Sequence, residues 1–229
     1  MKKIRTLLAM ALVMAATAAW ATINPKAYYT KDGEEVVDSV AVTGEAPLLV
    51  RFEANASDLE VGSTLEWRFV HNGVDGQNTY VRYEENPEHT FTESGLTKVT
   101  LIVRYQEEVV DSASINVTIS ESHLEMPNAF SPNDDGHNDI YRAKPHGKTG
   151  GYKSIVEFHA YIFNRWGQKL YEWTNIDEGW DGTYNGSPVK DGVYFVLVNA
   201  RGADGKEYNI RRDVNLIRRH NDDTTNSEQ

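Results

Sequence analysis

The chain has 229 residues, 40% hydrophobic and 25% charged, with a formal net charge of −11 and no cysteine. That size and composition fit one or two soluble globular domains, and the lack of cysteine excludes disulfides, thiolate catalysis and zinc ribbons together. The negative balance works against nucleic-acid binding, because phosphate backbones are repelled by the electrostatic effect that normally drives such association.

Residues 1–21 read as a secretory signal peptide. Lys2, Lys3 and Arg5 precede an apolar run from Leu7 to Ala19, and Ala19-Trp20-Ala21 supplies a small-residue cleavage site. The run is too short to span a bilayer comfortably and no second one follows, so the mature chain is expected to carry no transmembrane segment. Residues 22–125 hold 7 basic against 19 acidic side chains, while 126–229 hold 13 against 15. The acidity therefore belongs to the first half.

Residues 22–122 show the period-two alternation of strands. Val50, Phe52 and Ala54 fall on one face, as do Leu65, Trp67 and Phe69, with Arg51, Glu53, Glu66 and Arg68 on the opposite, solvent face. Val99, Leu101, Val103 and Tyr105 repeat the pattern, and Ala113, Ile115, Val117 and Ile119 repeat it again after a turn at Gln106 to Glu108. Short strands at this spacing predict an immunoglobulin-like β-sandwich anchored by Trp67. The stretches GEAPLLVRFEANASD (44–58), LEWRFVHNG (65–73), NPEHTFTESGLTKVTLIV (86–103) and DSASINVTIS (111–120) resemble the PKD-like family. In that family the central W-D-F-G-D-G pattern carries two acidic positions, and here it stands as Trp67-Arg68-Phe69-Val70-His71-Asn72-Gly73 with both altered. The resemblance implies an extracellular spacer or interaction module.

MPNAFSPNDDGHNDIY, residues 126–141, marks the passage to a second module. Asn133, Asp134, Asp135, Asn138 and Asp139 place five side-chain oxygen donors in seven residues around Gly136. Two readings fit. Clustered hard oxygens with a central glycine suit a structural calcium held by Asn133, Asp135, Asn138 and Asp139. The same residues also order a metal-free turn, because Asn and Asp side chains accept backbone N–H groups two residues on.

Beyond this loop, Val156, Phe158, Ala160 and Ile162 alternate with Glu157, His159 and Tyr161, and Asn164-Arg165-Trp166-Gly167 turns the chain into Lys169 to Trp173. Asp181-Gly182, Asn185-Gly186 and Asp191-Gly192 punctuate the next loop. Val193 to Ala200 and Tyr208 to Arg218 then form the last two strands, with Arg211, Arg212, Arg218 and Arg219 making the final one a basic edge. The whole chain is thus predicted to be all-β, two tandem β-sandwich domains at 22–122 and 123–219 after the signal peptide, with a disordered polar tail at 220–229.

PNAFSPNDDGHNDIY, YIFNRWGQKLYEW, GWDGTYNGSPVKDGVYFVLV and the closing VNLIRR closely resemble the gliding-motility-associated C-terminal domain, the type B sorting domain of type IX secretion. The family has Gly where Asp134 stands. The resemblance implies recognition of the folded domain by outer-membrane secretion components, followed by display at the cell surface or release. Asn164, Arg165, Trp166, Gly167, Trp180, Asp181 and Gly182 are the candidate recognition residues, combining turn glycines, large aromatic surfaces, and an Arg165–Asp181 pair or turn cap. The same residues also read as a loop-packing cluster, and next to carboxylates Trp180 and Trp173 would suit a surface glycan.

The seven histidines form no HExxH pair, and no GxSxG elbow or phosphate-cradling glycine loop is present, which argues against an enzyme. A noncatalytic protein carried out by type IX secretion is the leading reading, with an adaptor role at the secretion or gliding machinery. A carbohydrate-binding or adhesion module is the alternative.

Overall fold

The computed structural model describes residues 22–73, 76–148 and 150–218. The expected signal peptide, Arg219 and the polar tail lie outside the described residues. Every regular element among those described is a β-strand.

The first domain contains β1 (Thr22–Ile23), β2 (Lys26–Lys31), β3 (Glu34–Asp38), β4 (Ala41–Gly44), β5 (Leu48–Glu53), β6 (Ala56–Ser57), β7 (Thr64–Gly73), β8 (Gly76–Arg82), β9 (Glu88–Phe91), β10 (Gly95–Tyr105) and β11 (Glu108–Ile119). One sheet has the order β3-β2-β5-β9 and the other β4-β11-β10-β7-β8, with a short β1-β6 ladder at the side. Pairing is antiparallel except between β4 and β11. Alternation decides which side chains enter the space between the sheets: Val50 and Phe52 from one, and Trp67, Phe69, Val99, Leu101, Ile115 and Val117 from the other, are all fully buried. Phe52 lies 5.5 Å from Trp67 and 5.7 Å from Phe69, ring centre to ring centre, in tilted and edge-on arrangements that suit aromatic quadrupoles.

The same periodicity takes His71 inward after Trp67 and Phe69, and its Nδ1 lies 2.8 Å from Thr97 Oγ1. Glu66 differs from expectation. It stands on the outer face as alternation demands, yet it is only 6% exposed, because Arg68 and Arg104 fold over it and donate to its two carboxylate oxygens. Burial pushes the Glu66 carboxyl up, and the two guanidinium groups outweigh it, so its pKa lies below the usual value.

The second domain contains β12 (Ala129–Phe130), β13 (Ile155–Phe163), β14 (Lys169–Trp173), β15 (Thr183–Tyr184), β16 (Ser187–Pro188), β17 (Gly192–Gly202) and β18 (Glu207–Leu216). Its sheet has the order β12-β18-β17-β13-β14, and β15 and β16 make a hairpin. Asn185 and Gly186 both take positive φ, 49° and 76°, as the tight turn between those strands requires. The sheet's inner face carries Ala160, Ile162, Val196, Val198, Val214 and Leu216.

The layer opposite is built largely from non-strand chain, stitched by a Tyr141–Trp180 bridge and packed with rings. Trp180 lies 5.4 Å from Phe130 and 5.1 Å from Tyr194, and Trp180 and Tyr141 are both fully buried. Their polar atoms are satisfied inside. Trp180 Nε1–H donates to the Thr183 carbonyl at 2.8 Å, and Tyr141 Oη–H to that of Pro127 at 3.0 Å.

Candidate functional site

The loop that opens the second domain is closed by one carboxylate. Asp139 Oδ1 accepts the N–H groups of Asn133 and Asp134 at 3.0 and 2.8 Å, and Oδ2 accepts that of Gly136 at 2.8 Å. Asp135 Oδ1 accepts the His137 N–H at 2.7 Å, and Asn133 Nδ2–H donates to Asp135 Oδ2 at 3.0 Å. Four backbone N–H groups are thus taken up by the two carboxylates, while Asn133 Oδ1 is buried without a hydrogen-bond partner. Among the described residues no group of three or more His, Cys, Asp or Glu side chains is placed to hold a metal ion. The contacts of Asp135 and Asp139 are those the turn reading calls for, and the calcium reading of Asn133, Asp135, Asn138 and Asp139 is left to a chelator melt. Asp134 has φ 63°, the left-handed region that glycine favours.

At the far end of β13, Asn164 organises the turn into β14. Its Oδ1 accepts the N–H groups of Trp166 and Gln168, both at 3.0 Å, its Nδ2–H donates to Gln168 Oε1 at 2.9 Å, and Gly167 turns the chain with φ 80°. With the backbone thus held, Trp166 projects outward. It is 81% exposed, and the Arg165 guanidinium lies 5.3 Å from its ring centre. Trp166, Gln168, Leu170, Tyr184, Lys190 and Tyr194 line a cleft of about 340 Å³ beside this turn. Around the corner, on the outer face of the sheet, Phe163, Phe195, Leu197 and Arg211 border a shallow apolar depression, with Val193 and Phe195 each 46% exposed.

Asp181 and Gly182 form a second turn, and of the two roles expected of Asp181 it takes that of a turn cap and not that of a partner to Arg165. Asp181 Oδ1 instead accepts the Thr183 N–H at 2.9 Å and the Thr183 hydroxyl at 2.8 Å. Gly182 has φ 79°, and a Cβ there would lie 2.9 Å from Arg218 Nη2 and 3.0 Å from Pro132. Trp180 is corrected as a recognition surface, because its indole lies wholly inside the loop layer. Trp173, 3% exposed, is equally unavailable to a glycan. Trp180 fills the loop layer, whereas Trp173 is buried at the end of β14, paired with Ala160.

Arg218, read from sequence as part of a solvated basic strand, is the clamp of this end. Its guanidinium donates to the carbonyls of Gly182 and Val189 and to Asp191 Oδ1, and its N–H donates to Asp191 Oδ2 at 3.0 Å. Arg212 is also committed, donating to the Met126 carbonyl at 2.8 Å. Two Asp-Gly turns that leave carbonyls facing a chain terminus rich in arginine were the available sign of this clamp. A planar fork of five donors is the side chain suited to it.

The fold is a tandem of two-layered β domains, and the turn end of the second presents an exposed aromatic on a rigid support. Residues 124–211 match the model of the CHU_C Type IX secretion signal domain, so the second domain belongs to that family. The chain therefore carries a signal for export to the cell surface or the extracellular space. None of the curated proteins matches it. Among solved structures it is similar to a tetra-tandem repeat in the extending region of a large adhesion protein, at 13% identity and a TM-score of 0.28, with 86% of this chain and 68% of that chain covered. It is also similar to dimeric latent PorU from Porphyromonas gingivalis, at 12% identity and a TM-score of 0.26. That match covers 87% of this chain and spans 20% of the other. Likeness at this level bears on neither partners nor activity. Among the described residues no helix is long and apolar enough to cross a membrane.

Proposed function

We propose that the protein is a noncatalytic surface protein whose PKD-like first domain is carried outward by the type IX signal domain, after residues 1–21 direct it across the inner membrane. In this reading it serves the outer-membrane secretion or gliding machinery as an accessory or adaptor. The observation that carries it is the match of residues 124–211 to the type IX secretion signal domain, which supports export by that route.

Within the second domain, the Asn164–Gly167 turn is the end assigned to recognition by outer-membrane components. Its backbone is fixed by the Asn164 side chain, and it offers Trp166 and Arg165 to a partner at little further ordering cost. Gly182 supports that end from within, its carbonyl held by Arg218, and Asp181 caps the same turn through Thr183. Expression in a type IX-competent cell, comparing the whole chain with one lacking residues 124–218, tests the reading. Surface-accessible protein is expected only from the whole chain, and equal surface display of the truncated form would overturn it.

A further inference from the structure

The contacts between the domains gather on one corner of the second domain, at the start of β13 and the turn after β17. Ser154 stands there, 2% exposed and in a left-handed backbone conformation, φ 45°. Its Oγ accepts the Ala46 N–H of the first domain at 3.1 Å and lies 3.0 Å from Ser120 Oγ. Its carbonyl accepts the Ala203 N–H at 2.9 Å, and the Ala203 carbonyl accepts the Ser94 N–H of the first domain, also at 2.9 Å. One hydrogen-bonded series, Ser94 to Ala203 to Ser154 to Ala46, therefore crosses the boundary and returns.

Apolar contact accompanies it. Ala203 is 7% exposed and belongs to the core cluster of the first domain, with Val156 packed against the same cluster. The connecting chain is held from both sides. Ser120 N–H donates to the Gly44 carbonyl at 3.0 Å, and two residues later the Ser122 hydroxyl donates to Asp204 Oδ1 at 2.7 Å. Gly202 passes so near that a Cβ on it would lie 2.3 Å from Ser122 Cβ. At the rim, His146 Nε2 and Glu45 Oε2 are 2.8 Å apart.

Domains in one chain usually move relative to each other unless their interface is well packed. A non-glycine residue in a left-handed conformation persists where its surroundings hold it, and Ser154 is held by Ala203 of its own domain and by Ala46 of the first. We propose that the Ser154–Ala203 corner is a socket for the first domain that makes the two domains one unfolding unit. The socket reads main-chain N–H groups and small side chains, so the partner it fits is the turn edge of a β-sandwich and not a particular side-chain motif. Ile155 pairs with Gly202 at the socket and Phe163 pairs with Phe195 at the far end. The β13–β17 ladder is thus a strut of about 25 Å that holds the first domain away from the Asn164–Gly167 turn.

Calorimetry and amide exchange on the two-domain chain test this. A single thermal transition is expected, with the Ala46 and Ser94 amides protected as strongly as those of Val99 and Val196 in the two cores. Ala203→Glu forces a carboxylate into the first core and Gly202→Ala displaces Ser122. Either is expected to split the transition in two, the lower falling by about 5 °C or more. Two transitions in the unaltered chain, one undivided transition in both variants, or Ala46 and Ser94 amides exchanging as fast as exposed Gly62 would each overturn the proposal. The exchange measurement decides even if neither variant folds.

Discussion

The first domain closes its core between two sheets, whereas the second closes its core between one sheet and a layer of loops. In the first, backbone groups are paired along ladders, and the side chains that matter are apolar and alternate. In the second, Asp139, Asn164, Asp181, Trp180 and Arg218 take over hydrogen bonds that a second sheet would have made. Strand layers specify themselves through periodicity. Loop layers need individual polar side chains, each satisfying named backbone groups, and so concentrate stability in a few positions.

Trp180→Ala gives the largest expected effect and the sharpest test of that difference. Truncating a fully buried tryptophan costs about 3–5 kcal/mol, and Trp67→Ala in the first domain is expected to cost as much. The two should separate by what else they disturb. Trp180 also donates to Thr183 and joins the bridge to Tyr141, so its loss should release amide protection through the loops 127–141 and 181–191. Loss of Trp67 should leave the ladders β7-β10 and β10-β11 protected until global unfolding. Equal, local exchange patterns in the two variants would erase the contrast.

Arg218→Ala comes next, at about 2–3 kcal/mol, because it strips partners from the Gly182 and Val189 carbonyls in a side-chain site only 24% exposed. Arg218→Lys is expected to recover less than half of this, since an ammonium cannot reproduce the fork. Urea melts of both variants check it. Asp139→Ala follows, at about 1–2 kcal/mol, from the loss of one acceptor for three N–H groups. The unaltered chain should melt at the same temperature with and without chelator. A chelator-sensitive melt abolished by Asp135→Ala would instead favour the calcium reading.

The same contrast explains what could be read in advance. Alternation in β5, β7, β10, β11 and β13 identified strands of all three larger sheets and the Trp67 anchor, because a period of two directly fixes which face is buried. Trp180 and Trp173 are buried, as loop packing requires and as the glycan reading does not. A tryptophan in a Gly- and Asp-rich loop has no periodicity to indicate its side, and only the missing second sheet reveals the need for it. Glu66 was assigned the correct face and the wrong exposure, since two arginines from β7 and β10 cover it by length rather than by position. The inter-domain corner left no trace at all, being made of Ala46, Ser94, Ser154 and Ala203 through main-chain atoms and small side chains.

Glu66 supplies a pH-dependent effect confined to the first domain. Its folded pKa lies below the unfolded value of about 4.5, so the stabilisation is fully present above that pH and is lost as pH falls through the folded pKa. Glu66→Gln is expected to flatten this part of the acid-denaturation curve while leaving two arginines over a neutral group. An acid branch of unchanged slope would show that Arg68 and Arg104 do not hold the charged form.

Trp166→Ala is expected to have the smallest effect on stability, within about 0.5 kcal/mol, because an exposed side chain with few buried contacts contributes little to folding. That smallness is what makes it informative. Asn164 holds the turn through its own backbone hydrogen bonds, so removing the indole leaves the hairpin geometry intact. Any drop in surface display then reports lost contact with a partner and not misfolding. Trp180→Ala, by contrast, should lower display only as far as it lowers the folded fraction, and a stabilising medium should restore it. If Trp166→Ala leaves display unchanged while Trp180→Ala at full folding reduces it, the recognising surface is the loop layer and not the turn end.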